Sequence, residues 1–207
     1  MGARKIPLAV AAFVVAFAAA LAVDVPVSRW VHDNGIDKQV MGQWRWLALT
    51  IRLFGNFKYF TLIAAAVLLI ARKPHEAAIV VLSGIFSGSN GIVKWLVGRY
   101  RPFKGGGVFQ PHFFDGGIKG IFGPNQSFPS GDVCLAAATA LSLFFFVAPR
   151  WRWTLVIVIV LVAIERVMQG SHYPSDTVAG AALGWLCAIA ARACVRRFAP
   201  GGGTSER

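Results

Sequence analysis

WTLVIVIVLVAIERVMQGSHYPSDTVAGAALGWLCAIAARA, residues 153–193, reads as two apolar runs joined by a short polar connection. The first run, Trp153 to Ile164, stops at Glu165 and Arg166; the second opens at Val178 and continues to Ala193. Between them Gly170 breaks a helix, and Pro174, with its fixed φ and missing N–H, suits the first position of a new one. His172 therefore sits in the connection between two hydrophobic helices. Asp176 falls in the first turn of the second helix, four residues on, close enough for its carboxylate to set the imidazole tautomer. Arg166 approaches from the other side. A histidine held by an aspartate beside an arginine is suited to attack a phosphorus atom whose oxygens the guanidinium holds. The same residues also make a plain polar cap between two helices, and this stretch alone does not choose between the two.

The rest of the chain repeats the pattern of long apolar runs. Of 207 residues 56% are hydrophobic and 14% charged, against roughly 25% charged in a soluble domain, and the mean hydropathy is +0.59. The class is a polytopic membrane protein. Ile6–Val23 reads as the first span, Tyr59–Ala71 as the second, Ala77–Val97 as the third and Val133–Val147 as the fourth, with the two runs above as fifth and sixth. Val25–Phe57, with Pro26 and the tryptophans Trp30, Trp44 and Trp46, reads as a segment lying at the interface, where Arg45 and Arg52 act as anchors. Tyr100–Phe128 is a long glycine-rich loop. The predicted fold is all-α: a six-transmembrane-helix bundle with an interfacial helical segment and a long outer loop, one membrane domain over residues 1–198, and a disordered tail over 199–207. Cys134, Cys187 and Cys194 lie in or at the edge of apolar sequence without metal-ligand spacing and imply no disulfide framework. The net charge of +12 points to anionic partners, headgroups or a phosphate substrate. Basic residues at the N-terminus, the 72–76 turn, the 148–152 turn and the C-terminus place those segments in the cytoplasm by the positive-inside rule. The long loop and the His172 turn then face outward.

Two further clusters fall on that outer side. Lys94 and Arg101 are seven residues apart, on one helix face, and Arg101 is followed at once by Pro102 and the glycine-rich loop. A lysine near a helix end also snorkels to the interface, which accounts for Lys94 alone and for Arg99 as well, but not for Arg101-Pro102. The other cluster is Ser127-Phe-Pro-Ser-Gly-Asp132. With Pro129 starting a helix, Ser130, Gly131 and Asp132 offer unpaired N–H groups at its N-terminus, which suits an anion, or simple capping.

Taken in order, Lys94-x6-Arg101-Pro102, Pro129-Ser130-Gly131 and Arg166-x5-His172-x3-Asp176 resemble the three motifs of the type 2 phosphatidic acid phosphatase (PAP2) superfamily of membrane lipid phosphatases, Lys-x6-Arg-Pro, Pro-Ser-Gly-His and Ser-Arg-x5-His-x3-Asp. The resemblance spans about residues 87–184. It implies a metal-independent lipid phosphatase without cofactors, acting on a phosphomonoester or diphosphate through a phosphohistidine. His172 is then the nucleophile and Asp176 its orienting partner. Lys94, Arg101, Arg166, Ser130 and the Gly131 N–H bind the phosphate oxygens, with no metal ligands. The implied location is a bacterial inner membrane, with the site facing the periplasm.

The chain departs from the family pattern twice. Asp132, a candidate catalytic residue, stands where the family has the histidine that protonates the leaving oxygen and would replace it as general acid; Glu165 stands where the family has serine. Some lipid-A-type phosphatases of the superfamily look similar in carrying an acidic residue after Ser-Gly, which leans the expected substrate toward lipid A or a polyprenyl diphosphate. The expected partners are a phosphorylated lipid and the bilayer, with no nucleic acid and no obligate protein partner readable. A lipid phosphotransferase and a catalytically impaired lipid-binding relative remain the alternatives.

Overall fold

The structure, a computed structural model, describes residues 5–102, 109, 111–114 and 125–198, with side chains from Val10 onward. Most of the long loop and the whole 199–207 tail lie outside the described residues. Among the described residues the regular structure is helical, apart from one isolated antiparallel bridge between Tyr100 and Gln126. The helices are α1 (Lys5–Asp33), α2 (Ile36–Met41), α3 (Arg45–Arg52), α4 (Leu62–Ile70), α5 (Pro74–Phe86), α6 (Asn90–Val97), α7 (Gly131–Leu143), α8 (Arg152–Met168) and α9 (Pro174–Phe198).

Helix α7 is the centre. Every residue from Val133 to Ala140 is buried, and α5, α8 and α9 all pack on it. Its contact with α9 is a backbone approach through glycines, as small-residue packing between membrane helices requires. A Cβ on Gly180 would stand 2.5 Å from the Ser130 carbonyl oxygen, and one on Gly184 would stand 2.7 Å from the Ala137 Cβ. A buried hydroxyl pair, Thr61 to Thr139 at 2.7 Å, ties α7 to the π-helical turn that leads into α4. The outer surface is apolar: Ile70 is 83% exposed, and Val67, Ile157, Val160 and Leu186 are exposed with it. Aliphatic side chains turned outward all round a bundle are those of a protein solvated by lipid.

Among the described residues three helices are long and apolar enough to cross a bilayer: Val10–Asp33, Pro74–Val97 and Pro174–Phe198. A fourth crossing is formed if α3 and α4 count together, bent by 61° about Asn56. Helices α7 and α8 are shorter, so the expected count of six is not reached on length alone.

The observed boundaries also differ from those expected. Helix α1 does not stop at Val23 but runs through Pro26 to Asp33. Its second half packs on α9 with Asp24 and Val31 buried, and tertiary contact outweighs the single hydrogen bond the proline removes. Helix α8 continues past Ile164 to Met168 and carries Glu165 and Arg166 inside the bundle rather than in a connection. Helix α9 runs past Ala193 to Phe198, because its arginines and alanines are good helix formers even where hydropathy ends. Helix α7 begins at Gly131, two residues after Pro129.

Candidate active site

Four helix ends converge at one end of the bundle: the C-termini of α6 and α8 and the N-termini of α7 and α9. The turn after α6 needs glycine. Gly98 has φ +63°, and a Cβ there would collide with the His112 carbonyl. The chain then runs through Arg99 and Arg101 beside residues 125–127, with Arg101 N donating to Asn125 O at 3.3 Å and Ser127 N to Arg99 O at 2.7 Å. This pairing fixes Ser127 beneath His172. After α8, Gly170 at φ +70° turns the chain into Ser171–Tyr173, and Pro174 opens α9 as expected.

His172 is buried, 3% exposed. Its Nδ1 lies 2.8 Å from the Ser127 carbonyl oxygen and 3.7 Å from Asp176 Oδ2. A carbonyl only accepts, so Nδ1 donates and the lone pair is left on Nε2. Burial pushes the ring down to about 4, against the pull of Asp176, so near neutral pH it is an uncharged imidazole. The nearer partner that sets the tautomer is therefore a backbone oxygen, with the carboxylate of Asp176 behind it.

Lys94, on α6, donates to the Gln126 carbonyl at 3.1 Å. Arg101 is partly buried, and burial together with the neighbouring Arg166 lowers its pKa from the ordinary arginine value. Arg166, almost fully enclosed, lies 3.2 Å from Asp132 and 3.6 Å from Glu165. Ser130 Oγ and Arg101 Nε are buried and have no hydrogen-bond partner among the described residues. Polar atoms of this kind are costly to bury unless something pairs with them, and a hydroxyl and a guanidinium beside two further cations match the oxygens of a phosphate. The Ser130 backbone N–H is already taken, donating to the Asp176 carbonyl at 2.9 Å. The N–H groups of Gly131 and Asp132, in the first turn of α7, are the ones at this helix start that suit an anion.

Arg52, expected as an interfacial anchor, reaches the site from the end of α3 and lies 3.5 Å from Asp132. Arg99, expected to snorkel, is 1% exposed and pairs with both Asp24 and Asp176. His112 is exposed and packs against Tyr100, with ring centroids 4.4 Å apart and the ring planes tilted by 44°. Cys134 and Cys187 are buried between the helices, and Cys194 is partly exposed.

With this geometry the three sequence motifs lie at one end of the bundle, and the match to known proteins falls on the same residues. The PAP2 superfamily is matched over residues 76–200, more than half of the chain. The chain belongs to the PAP2 superfamily. It is similar to the lipid A 1-phosphatase of Rhizobium etli, 33% identical over 115 residues that cover 54% of this chain and 46% of that relative. It is likewise similar to the lipid A 1-phosphatase of Rhizobium johnstonii, 33% identical over 115 residues that cover 54% of this chain and 43% of the relative. The matched stretch thus spans a little under half the length of each relative. No solved structure matches the chain. The PAP2 match takes in α5–α9, the elements that supply Lys94, Arg101, Ser130, Asp132, Arg166, His172 and Asp176, whereas Asp24 and Arg52 lie upstream of it.

Proposed function

We propose that this PAP2 protein is a metal-independent membrane lipid phosphatase working through a phosphohistidine on His172. The observation that carries the reading is the buried imidazole, neutral and with its Nδ1 proton given to Ser127, set among Lys94, Arg101 and Arg166. In the first step the Nε2 lone pair forms the P–N bond as the bond from phosphorus to the leaving oxygen breaks. In the second, water attacks phosphorus, the P–N bond breaks and inorganic phosphate departs. Phosphoryl transfer asks mainly for positioning and charge neutralisation. Lys94, Arg101, Arg166, Ser130 and the Gly131 N–H supply both, and Asp176 steadies the ring as it becomes cationic.

Asp132, at the position from which the family protonates the leaving oxygen, lies between Arg52 and Arg166. Its Oδ2 faces two guanidinium groups, which only donate to it, so the site suits leaving groups that need little protonation, such as an anomeric sugar oxygen or the phosphate of a diphosphate. That chemistry, and the similarity to lipid A 1-phosphatases, make the 1-phosphate of lipid A the first substrate to test and a polyprenyl diphosphate the second. Counting α7 and α8 as spans gives six crossings in a bacterial inner membrane, and the basic turns support a site on the periplasmic side. The deciding experiment is phosphate release from lipid A, undecaprenyl diphosphate and phosphatidic acid by the wild-type protein and by His172→Ala. The expected result is turnover of the first two that vanishes in the variant; retention of turnover in His172→Ala would remove the nucleophile.

A further inference from the structure

Behind the nucleophile lies a charged group assembled from three distant parts of the chain. The Arg99 guanidinium is held between two aromatic rings, 3.7 Å from the Tyr173 centroid and 4.7 Å from that of Phe109. Nη2 donates to Asp24 Oδ2 at 2.8 Å; Nη1 donates to Asp176 Oδ1 at 2.7 Å and to Ser175 Oγ at 2.9 Å. Asp24 also accepts from the Ser175 backbone N–H at 2.9 Å and from its hydroxyl. The other oxygen of Asp176, Oδ2, accepts from Tyr173 N at 2.8 Å and is the one that faces His172.

Two carboxylates sharing one guanidinium carry a net charge of minus one. The cations facing His172 are Lys94 from α6 and Arg166 from α8, and both oppose a positive ring. When Nε2 bonds to phosphorus while Nδ1 keeps its proton, the ring becomes cationic, and the charge that favours it is that of Asp176. Arg99 alone would cancel that charge; Asp24 cancels Arg99 instead. A pair buried this completely inside a membrane bundle is costly unless its charges are paired; here every carboxylate oxygen of Asp24 and Asp176 has a donor and both Nη atoms of Arg99 have acceptors, while Arg99 Nε has no hydrogen-bond partner among the described residues.

We propose that Arg99 and Asp24 are positioning residues for phosphoryl transfer: Arg99 aims Asp176 Oδ2 at His172, and Asp24 neutralises Arg99 so that Asp176 keeps its charge for the ring. This rests on His172 being the nucleophile. Neither residue touches substrate, so the effect falls on the chemical step and not on phosphate capture.

The test compares Asp24→Asn, Arg99→Gln, the double variant and Arg99→Lys, purified in detergent, with His172→Ala in parallel. The readouts are kcat and KM on lipid A bearing its 1-phosphate, and the affinity for orthovanadate, which takes up five-coordinate geometry on an imidazole nitrogen. Asp24→Asn is expected to lower kcat on the order of tenfold, or 1.4 kcal/mol, with KM within about twofold, and to weaken vanadate by a similar factor. The double variant removes both charges and returns the net minus one to Asp176, so it is expected to be faster than Asp24→Asn alone, a coupling of definite sign. Arg99→Lys keeps the charge without the fork that reaches both carboxylates; it is expected to slow kcat at unchanged KM, and it decides the matter if Asp24→Asn does not accumulate. Wild-type kcat in Asp24→Asn or in Arg99→Lys, or a double variant no faster than Asp24→Asn, overturns the proposal. If His172→Ala retains turnover, the nucleophile reading fails instead. If lipid A is not turned over at all, the vanadate affinities decide by the same pattern.

Discussion

Replacing Asp132 by asparagine removes the carboxylate that contacts both Arg52 and Arg166 while leaving its shape. Arg166 is 3% exposed in its side chain and lies 3.2 Å from Asp132. Stripping a buried charge of its partner costs about 3–5 kcal/mol, but Glu165 remains 3.6 Å away, which brings the expected loss to about 2 kcal/mol. Arg52 is 46% exposed, and a pair so open to solvent contributes only about 0.2–1 kcal/mol. The folded protein without ligand is therefore expected to lose about 2–3 kcal/mol. A bound phosphate-like anion supplies negative charge to the same guanidinium groups, so with saturating vanadate the deficit should shrink to under about 1 kcal/mol. The assay is unfolding of wild type and Asp132→Asn in mixed detergent micelles, with and without vanadate, far-ultraviolet circular dichroism reporting helix content. A deficit of the same size in both conditions would mean that Asp132 does not share its arginines with the anion. No deficit in either would mean that it does not hold them.

Three further outcomes follow from the same geometry. A histidine held at about 4 in the fold and near ~6.5 when unfolded binds more protons in the unfolded state between those values, so stability should decline as pH falls from about 6.5 towards 4, by about 3 kcal/mol in all; chemical unfolding at a series of pH values measures it, and His172→Asn should flatten the dependence. Turnover should survive EDTA and be inhibited by vanadate, since the site residues supply the charge neutralisation themselves; complete loss on chelation with recovery on added magnesium would sink the phosphohistidine reading. Gly98→Ala should lower the midpoint of thermal unfolding markedly, because it strains a left-handed residue and drives a methyl group into the His112 carbonyl; an unchanged midpoint would mean that the turn rearranges freely.

Much of the site was readable because its residues mark where apolar runs end. Lys94, Arg101, Ser130, His172 and Asp176 stand at fixed distances from a proline, a glycine or a change in hydropathy, and those local signals survive without a fold. The partners of Arg99 do not. Asp24 is 75 residues from Arg99 and 151 from Ser175, and its place in the middle of α1 was hidden by Pro26, which reads as the end of a helix. An aspartate directly after the first expected span was the available signal, since an ionisable residue beside apolar ones asks for a partner. Arg52 was hidden for the opposite reason: at an interface an arginine needs no partner, and only the 61° corner between α3 and α4 carries it to Asp132. The length of α8 was misjudged because hydropathy ends at Ile164 while helix propensity continues through Glu165 and Arg166.

The glycine contact between α7 and α9 bears on how far the candidate site can deform. Backbone rests on backbone at Gly180 and Gly184, and the Ser130 N–H is joined to the Asp176 carbonyl, so the helix that starts beside Ser130 and the helix that follows His172 form one rigid block. Sliding either past the other would pull Ser130 away from Asp176. The corner of α3 and α4 is bound to the same block, since a Cβ on Gly55 would stand 2.7 Å from the Asp132 Cβ and Thr61 is hydrogen-bonded to Thr139, and Arg52 is carried with it.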